Sequence, residues 1–301
     1  MNKPRRPPRR RVDGVLLLDK PTGMSSNAAL QAARHLFNAA KAGHTGTLDP
    51  LATGLLPLCF GEATKFAGEL LHADKCYRAT LRLGVTTDSA DADGRILEIR
   101  PVVVGEIQLR EALGSFHGEI EQIPPMHSAL KRDGKPLYEY ARRGIELERE
   151  PRRVNIHRLE LLSFAGDEAV IDVDCSKGTY VRTLAADIGG KLGCGAHLTA
   201  LRRTRIGSLD LSSAVTLAEM EALSMEDRGG RLSPADVLLA GIPLAVLDQV
   251  ETERILHGQD IAWMGRVGQR YRLYGVGGTF IGLGEILPDG RLNPRRLVSC
   301  S

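Results

Sequence analysis

The sequence predicts an α+β fold, in which strands and helices alternate irregularly along the chain. Residues 77–83 and 170–175 alternate apolar and polar side chains with the period of two that a half-buried strand requires. Apolar residues recur at helical spacing after Ser25 and again over residues 181–192. A chain of 301 residues, 43% of them hydrophobic, can bury a large core, so we expect one large and one small domain.

The first elements are a short buried strand and a helix. Residues 15–18 form an apolar run typical of a buried strand, and Ser25 or Ser26 could cap the helix that follows. One face of this helix carries Ala29, Ala33 and Leu36. A second helix is expected through Leu70 and Leu71, before the strand at residues 77–83.

Residues 43–54 (GHTGTLDPLATG) form a polar stretch with a single carboxylate, Asp49. Its three glycines permit backbone angles that other residues resist, and Pro50 biases Asp49 toward an extended conformation, so we expect a shaped loop. A carboxylate near its reference pKa of about 3.9 is ionised at pH 7 and needs no partner base to act as a nucleophile. The alternative is a turn in which Asp49 accepts hydrogen bonds from nearby amides.

Residues 43–65 resemble the central motif of the TruB family of tRNA pseudouridine synthases. Three further segments resemble motifs of that family in the same order: residues 14–25 (GVLLLDKPTGMS), 176–182 (SKGTYVR) and 196–207 (AHLTALRRTRIG). Together the motifs span roughly residues 12–210. The resemblance implies the pseudouridine synthase fold, a mixed and largely antiparallel sheet flanked by helices.

The resemblance also implies the reaction and its residues. It implies isomerisation of uridine to pseudouridine at position 55, in the T loop of tRNA, after the base is flipped out of its stack. Asp49 matches the catalytic aspartate, on which glycosidic bond cleavage and carbon–carbon rejoining depend. Arg182 matches the residue that pairs with this aspartate and keeps it ionised. The substrate-binding positions of the family match His44, Tyr77, Tyr180 and Leu201.

Simpler interpretations exist for several of these residues. Tyr77 lies on the apolar face of the predicted strand and would otherwise be a core aromatic residue with one hydrogen bond. Arg182 follows a strand-to-helix junction and would otherwise pair with any surface carboxylate. Lys65 matches a supporting active-site position, where its role would be electrostatic, and Leu201 would form a wall of the pocket.

Positive charge is concentrated in patches, although the net charge is only +3. Residues 1–11 form a basic, proline-broken arm that we expect to be disordered, with binding to a nucleic-acid backbone as the alternative. Arg202, Arg203 and Arg205 form a second patch, and residues 131–143 hold a third. Each alone could be a solvated face, but three in one chain favour a polyanionic partner, which the family resemblance identifies as the T-arm stem-loop of tRNA.

Residues 124–150 match the insertion with which the family clamps the tRNA stem-loop. We expect a basic, glycine-interrupted loop and then a short helix that contains Tyr138, Tyr140, Arg142 and Arg143. His127 stands where many family members carry tyrosine, so a stacking role at this position stays open.

The remaining chain divides into domains. Residues 12–245 are predicted to form the catalytic domain, with residues 220–234 as a polar connector near its end. Residues 246–301 combine short apolar runs with glycine turns, which predicts a small barrel-like domain that packs against the first. By resemblance it is a PUA-like RNA-binding domain.

Composition excludes other classes of protein. No stretch approaches the roughly 18 apolar residues of a membrane span, and the start lacks the apolar core of a secretory signal, so we expect a cytoplasmic protein. The five scattered cysteines include no Cys-x-x-Cys pair, so neither disulfides nor a metal is implied. Uridine and pseudouridine are isomers, so we expect no cofactor, and we expect a monomer.

Three other functions remain as alternatives. A glycoside hydrolase normally needs a second acid near the first, and no other carboxylate is paired with Asp49 in the sequence. A tRNA-binding chaperone would explain the basic patches but would not require the Asp49 loop. A guide-RNA-dependent pseudouridine synthase is the third alternative, although the insertion at 124–144 resembles that of stand-alone bacterial enzymes.

Overall fold

The computed structural model describes residues 8–299 and contains two principal sheets, of nine and of five strands. The elements of the first half are β1 (Gly14–Lys20), α1 (Ser26–Leu36), β2 (Ala42–His44), β3 (Thr53–Phe60), β4 (Lys75–Leu83), β5 (Val85–Thr87), β6 (Ile96–Ile99), α2 (Glu106–Gly114), β7 (Gly118–Gln122), β8 (Lys131–Arg132), β9 (Lys135–Pro136) and α3 (Leu137–Ala141). The large domain continues with β10 (Arg152–Ala165), β11 (Glu168–Cys175), α4 (Val181–Leu192), β12 (Ala196–Ile206), β13 (Leu209–Asp210), α5 (Leu217–Ala222) and α6 (Met225–Gly229).

The nine-stranded sheet carries the large domain. Its strand order is β1-β3-β12-β4-β11-β10-β7, with β2 paired to β3 and β13 paired to β12. All of these pairings are antiparallel except that of β12 with β3. The mixed, largely antiparallel sheet confirms the predicted fold class. It also brings β3, β4 and β12, which are far apart in sequence, side by side at its centre.

The alternation of apolar and polar side chains decides which face of each predicted strand is buried. Along β4, Ala79, Leu81 and Leu83 are buried, whereas Arg78 and Arg82 point to solvent. Arg78 donates to both carboxylate oxygens of Asp172 on the neighbouring β11, at 2.9 and 3.0 Å. The apolar face therefore enters the core, and the arginines tie the strands together on the other face.

Helix α1 forms as predicted and packs its alanines on the sheet. The Ser25 hydroxyl caps the helix by accepting from the Ala28 amide at 3.1 Å, and Ala29 and Ala33 are fully buried. Of the two candidate caps, Ser25 is the one used. Ser26 is buried and bonds instead to Leu48.

Leu70 and Leu71 lie in the helix expected there, which is a short 3-10 helix (Glu69–His72), because β4 begins three residues after it. Another expectation for the large domain was wrong. The segment expected to be a polar connector, residues 220–234, contains the second half of α5 and all of α6. Thr216 and Glu219 form a capping box that starts α5, and this short helix packs against α1. Its Met220 is therefore fully buried.

The small domain contains the strands predicted from the glycine turns. Its elements are β14 (Leu244–Val246), α7 (Gln249–Leu256), β15 (Ile261–Ala262), β16 (Arg270–Tyr274), β17 (Phe280–Ile286) and β18 (Arg291–Leu297). The strand order is β14-β16-β17-β18-β15, and the sheet begins at Leu244. It packs against the large domain as expected. The ring of Phe280 in the small domain is 5.5 Å from that of Phe66 in the large domain, and Leu283 lies in the same buried hydrophobic cluster as Leu17.

The end of the basic arm is held against the large domain. The Arg10 amide donates to the Asn38 carbonyl at 2.7 Å, and the Ala40 amide donates to the Arg10 carbonyl at 2.8 Å. The expectation of disorder therefore does not hold for residues 9–11, because the backbone pairs with the chain after α1. Residues 1–7 lie outside the described residues. Within residues 8–299, none of the helices combines the length and the apolar character that spanning a membrane would require.

Candidate active site

Asp49 lies in the loop that joins β2 to β3, and the residue before it fixes the loop. Leu48 is buried, and its amide and carbonyl both bond to the Ser26 hydroxyl, at 2.7 and 2.9 Å. The Asp49 side chain stands just beyond this anchor and is 40% exposed. The polar loop expected from the glycines and Pro50 is thus present, and it presents its carboxylate to a cleft.

A buried lysine supports the other side of the loop. The Lys20 ammonium donates to the carbonyls of Pro21 and Met24 at 2.8 and 2.6 Å, and lies 3.5 Å from that of Pro50. Lys20 is fully buried, and this burial lowers the pKa of its ammonium to about 8, against the opposing charge of Asp49. The segment that resembles the opening motif of the family therefore holds the Asp49 loop in place.

Arg182 pairs with Asp49, as the sequence predicted. Its Nε lies 3.0 Å from Oδ2 of Asp49 and 3.5 Å from Oδ2 of Asp91. Its two terminal nitrogens donate to the Ser89 carbonyl at 3.1 Å and the His127 carbonyl at 2.6 Å. The Arg182 side chain is only 6% exposed, so four partners fix its guanidinium in one orientation.

Asp91 is a second carboxylate at this arginine, which the sequence reasoning missed. It is buried, and its Oδ1 accepts from the Ser89 hydroxyl and from the Asp93 amide. The residue between them, Ala90, has a φ of +59°, a left-handed conformation that is unfavourable for alanine. Three aspartates within residues 88–93 were the signal that could have pointed to this turn. Asp91 is committed to these contacts, so its role is to hold Arg182.

The surroundings of Asp49 alter its acidity. Burial raises the pKa of Asp49, Arg182 lowers it, Asp91 raises it further, and Lys20 lowers it. The net shift is upward, so the assumption of a carboxylate near its reference pKa was wrong. The physical reason is that the loop exposes the Asp49 carboxylate to solvent on one side only. Arg182 is the contact that favours the ionised form.

Two aromatic residues lie close enough to Asp49 for its charge to act on their hydroxyls, although neither is among the residues that line the cleft. Tyr77 on β4 stands opposite Arg203 on β12, and burial raises the pKa of its hydroxyl to about 12, so Tyr77 is neutral. Tyr180 precedes the first turn of α4, where Gln122 donates to its carbonyl at 3.3 Å and accepts from its amide at 3.0 Å. Burial also raises the pKa of the Tyr180 hydroxyl. The predicted strand-to-helix junction thus positions both Tyr180 and Arg182.

The structure places His44 at the cleft, whereas Leu201, which the resemblance implies as a wall of the pocket, is not among the residues that line it. His44 ends β2 and lines the same cleft as Asp49, and within residues 8–299 its buried Nδ1 makes no hydrogen bond. Burial and then the charge of Arg203 lower the pKa of His44, so its ring is neutral at pH 7. Leu201 is 8% exposed and pairs with Ala79. It belongs to the wall of the core.

Arg203 was expected to belong to a basic surface patch, but it is buried. It is 1% exposed, and its Nε donates to the Leu55 carbonyl at 2.8 Å. Gly54 makes this possible, because a Cβ there would lie 2.3 Å from the Arg203 carbonyl oxygen. Arg203 therefore crosses the sheet beneath Tyr77 and His44 and is not available to bind a phosphate backbone.

Lys65 was expected to support the active site, but the structure places it elsewhere. Its ammonium bonds to Glu62 at 2.6 Å and to the Leu297 carbonyl of the small domain at 2.9 Å. The reason is the direction of β3, whose eight residues carry the chain about 25 Å from the Asp49 loop. Lys65 therefore joins the two domains.

The cleft around Asp49 has a volume of about 990 Å³ and is walled by the predicted insertion. His127, Tyr138 and Arg142 of the insertion line it together with Asp49 and Arg182. Helix α3 contains Tyr138 and Tyr140 as expected but ends at Ala141, before the two arginines. The Arg142 guanidinium lies 5.2 Å from the Tyr138 ring centre. The cleft is large enough for a nucleotide flipped out of its stack.

Three family models match successive parts of the chain. They are the TruB family pseudouridylate synthase (N terminal domain) at residues 34–181, the tRNA pseudouridylate synthase B C-terminal domain at 182–240 and the pseudouridine synthase II TruB C-terminal model at 243–298. Among curated relatives, the tRNA pseudouridine synthase B of Aromatoleum aromaticum is 60% identical over 97% of this chain and 94% of its own. That of Azoarcus sp. is 58% identical over 98% of each chain.

Solved structures share the same fold. A Cbf5-Nop10-Gar1 complex contains a chain that is 25% identical, with a TM-score of 0.72 over 96% of this chain and 84% of that one. An H/ACA RNP bound to a substrate RNA containing 2′-deoxyuridine contains a chain that is 23% identical, again with a TM-score of 0.72, over 95% and 85%. The likeness includes the small domain, whose curled five-stranded sheet is PUA-like.

Proposed function

Since this chain belongs to the TruB family of pseudouridine synthases and isomerises uridine to pseudouridine in tRNA, we propose that its target is the uridine at position 55, in the T loop. The curated relatives carry the name tRNA pseudouridine synthase B, and they match the chain over nearly its whole length. The basic insertion beside the cleft supports a stem-loop substrate, because its arginines and lysines can contact phosphates on either side of a flipped base. We propose that the enzyme acts in the cytoplasm and as a monomer.

The pairing of Arg182 with Asp49 is the observation that carries the assignment of the catalyst. It holds the Asp49 carboxylate, which is 40% exposed, in a cleft whose lining also includes His44, Tyr138 and Arg142 together with three other aspartates. In the reaction the bond from N1 of the base to C1′ of the sugar breaks, and the bond from C5 to C1′ forms. The proton that leaves C5 is balanced by one gained at N1. Asp49 starts this exchange by attack or by removal of a sugar proton.

The flanking residues would hold the base while it turns. Flipping a base costs a few kcal/mol, and stacking on an aromatic ring returns roughly 1–3 kcal/mol. Tyr77, which is neutral and lies opposite Arg203, offers such a ring, and Tyr180 offers a second. His44 is neutral and lines the cleft, so its ring can accept or donate a hydrogen bond there. Catalysis belongs to residues 12–245, and residues 246–301 add RNA contacts.

The test is conversion of an unmodified T-arm stem-loop, with no cofactor added, by the wild type, Asp49→Asn and Asp93→Asn. Asp93 lines the same cleft without contacting Arg182, so its substitution removes the same charge and serves as the matched control. We expect conversion by the wild type and Asp93→Asn, and none by Asp49→Asn, with nearly equal RNA affinity in all three. A stem-loop with cytidine at position 55 should leave its other uridines unconverted. Near-normal turnover by Asp49→Asn would overturn the catalytic assignment, and binding without conversion by the wild type would indicate a chaperone.

A further inference from the structure

A second polar pocket lies at the end of α1 that is remote from Asp49. It has a volume of about 180 Å³ and is lined by Arg9, Gln31, Arg34, His35 and Asn38. Two arginines, one histidine and two amides supply donors, and the lining includes no carboxylate. A pocket of this size holds several water molecules, and hence a phosphate group. Its composition suits an anion with several acceptor oxygens.

The fold does not use all of the hydrogen-bond donors of this pocket. Arg34 caps the chain after the helix, since its Nε donates to the Ala39 carbonyl at 3.1 Å and its Nη2 to the Ala40 carbonyl at 2.7 Å. Basic residues in a last helical turn also complement the helix dipole. Arg9 and His35, however, are exposed, and within residues 8–299 their side chains make no hydrogen bond or ion pair. The fold therefore leaves two donors at this pocket uncommitted.

The pocket is connected to the catalytic cleft along one face of α1. Ser25, Ser26 and Asn27 at the start of the helix line the cleft, and Gln31 and Arg34 follow at positions i+4 and i+7 from Asn27. This spacing keeps the side chains on one side of the helix. At 1.5 Å per residue, the distance from Asn27 to Arg34 is about 10 Å, and Asn38 lies just beyond the end of the helix. We call this stripe, together with Arg9 and His35, the α1 track.

We propose that the α1 track binds the phosphate backbone of the tRNA whose uridine occupies the cleft, with Arg9 and His35 as the phosphate contacts at its far end. This inference rests on the tRNA substrate and extends it to a surface beyond the insertion. A row of polar side chains that ends in two donors with no partner among residues 8–299 suits a polyanion better than a single small ligand, because successive phosphates lie along a line. The contacts act on affinity and leave the chemistry at Asp49 unchanged.

The test is equilibrium binding of full-length tRNA to the complete chain at several salt concentrations, for the wild type and the double variant Arg9→Glu/His35→Glu. Both residues are exposed, so the variant should fold, which thermal unfolding checks. We expect an affinity loss of about tenfold, and a plot of log affinity against log salt that is shallower by about 1 for each lost contact. Turnover at saturating tRNA should be unchanged, and Arg9→Lys should bind like the wild type.

The matched control is Arg110→Glu, the same charge reversal on α2, where Glu106 is the ion-pair partner of Arg110 among residues 8–299. It should leave affinity and salt slope unchanged. Equal affinity and slope for the wild type and the double variant, or an equal loss in the control, would overturn the proposal.

A parallel titration with inorganic phosphate tells binding of the tRNA backbone apart from binding of free phosphate. If the double variant lost phosphate binding but kept its tRNA affinity, the pocket would be a site for free phosphate and the backbone assignment would be wrong. The same wild-type preparation is also assayed for conversion of uridine to pseudouridine. Conversion shows that the proposed function holds, so a negative binding result would then count against the α1 track alone.

Discussion

The Ser26 hydroxyl donates to the Leu48 carbonyl at 2.9 Å and accepts from the Leu48 amide at 2.7 Å. One buried side chain therefore satisfies both backbone groups of the residue that precedes Asp49. Because Ser26 opens α1 and Leu48 lies in the core, the position of the Asp49 carboxylate is fixed by a rigid helix and not by the loop alone.

Ser26→Ala should lower the rate of conversion more than it lowers tRNA affinity. The substitution leaves the Leu48 amide and carbonyl unpaired, and a catalytic group displaced by about 1 Å can lose about a hundredfold in rate. Single-turnover rates with a T-arm stem-loop measure this effect. Ser25→Ala is the control, because it removes the cap of the same helix, at a cost of about 1 kcal/mol in stability, without touching Leu48. Equal rate losses in both variants would contradict the positioning role.

Asp91→Asn and Lys20→Met should shift the acid limb of the pH–rate profile in opposite directions. Turnover requires ionised Asp49, so it is lost as pH falls through the pKa of that carboxyl. Asp91 raises this pKa and Lys20 lowers it, so Asp91→Asn moves the limb to lower pH and Lys20→Met moves it to higher pH. The Lys20 ammonium, with a pKa of about 8, stays charged throughout the acid limb. Single-turnover rates from about pH 4 to pH 8 give the midpoints, and shifts of the same sign would exclude this account.

Tyr77→Leu should reduce the rate of conversion by about ten- to a hundredfold, since it removes a stacking surface of roughly 1–3 kcal/mol. Tyr77→Phe keeps the ring and should stay within about threefold of the wild type, because the hydroxyl faces Arg203 beneath the cleft. Affinity for the stem-loop should change less than rate in both variants. An unchanged single-turnover rate in Tyr77→Leu would refute the stacking role.

Lys65→Met should destabilise the contact between the domains and leave catalysis intact. It removes the hydrogen bonds to Glu62 and the Leu297 carbonyl, a loss of about 1 kcal/mol for a partly exposed pair. We expect a lower Tm, faster proteolysis of the small domain and a stem-loop conversion rate within about twofold of the wild type. Lys191→Met, which removes an exposed lysine from α4, is the control. A large loss of single-turnover rate in Lys65→Met would restore the active-site role expected from the sequence.

The contact that Lys65 and Glu62 make with the small domain should weaken in acid. Burial opposes ionisation of Glu62, but hydrogen bonds from Lys65 and the Ser299 amide lower its pKa from 4.5 to about 2. Its folded pKa is depressed, so its contribution to stability is present above about pH 4.5 and is lost as pH falls toward 2. Denaturation midpoints measured across that range in the wild type and Glu62→Gln should converge at the acid end.

Local patterns in the sequence were sufficient for the elements near the site. The alternation in residues 77–83 predicted which face of β4 is buried, and the pair Ser25 and Ser26 predicted the start of α1, which Ser25 caps. The glycines and Pro50 predicted a loop at Asp49. These features depend on neighbours within a few residues, through strand pleat, capping and backbone freedom, and so they can be read directly from the chain.

The errors concern residues whose environment depends on distant parts of the chain. Arg203 belongs to a run of three arginines, yet the close approach of Gly54 buries it, whereas its neighbours on β12 are only partly buried or exposed. Lys65 is the last residue of the motif at residues 43–65, yet β3 carries it to the small domain. Asp91 carries no local mark of its partner, since only the packing of the turn at residues 87–91 against β12 brings it to Arg182.

By itself, the sequence determined the fold class, the loop that presents Asp49 and the family to which the chain belongs, because each is encoded in short segments whose order and periodicity survive without knowledge of their contacts. Only the tertiary structure decided that Asp49 and Asp91 share Arg182, that Lys20 and Ser26 hold the loop, and that Lys65 joins the domains. The physical reason is that ion pairing and burial depend on distances in space, and the order of strands in a sheet sets those distances independently of separation along the chain.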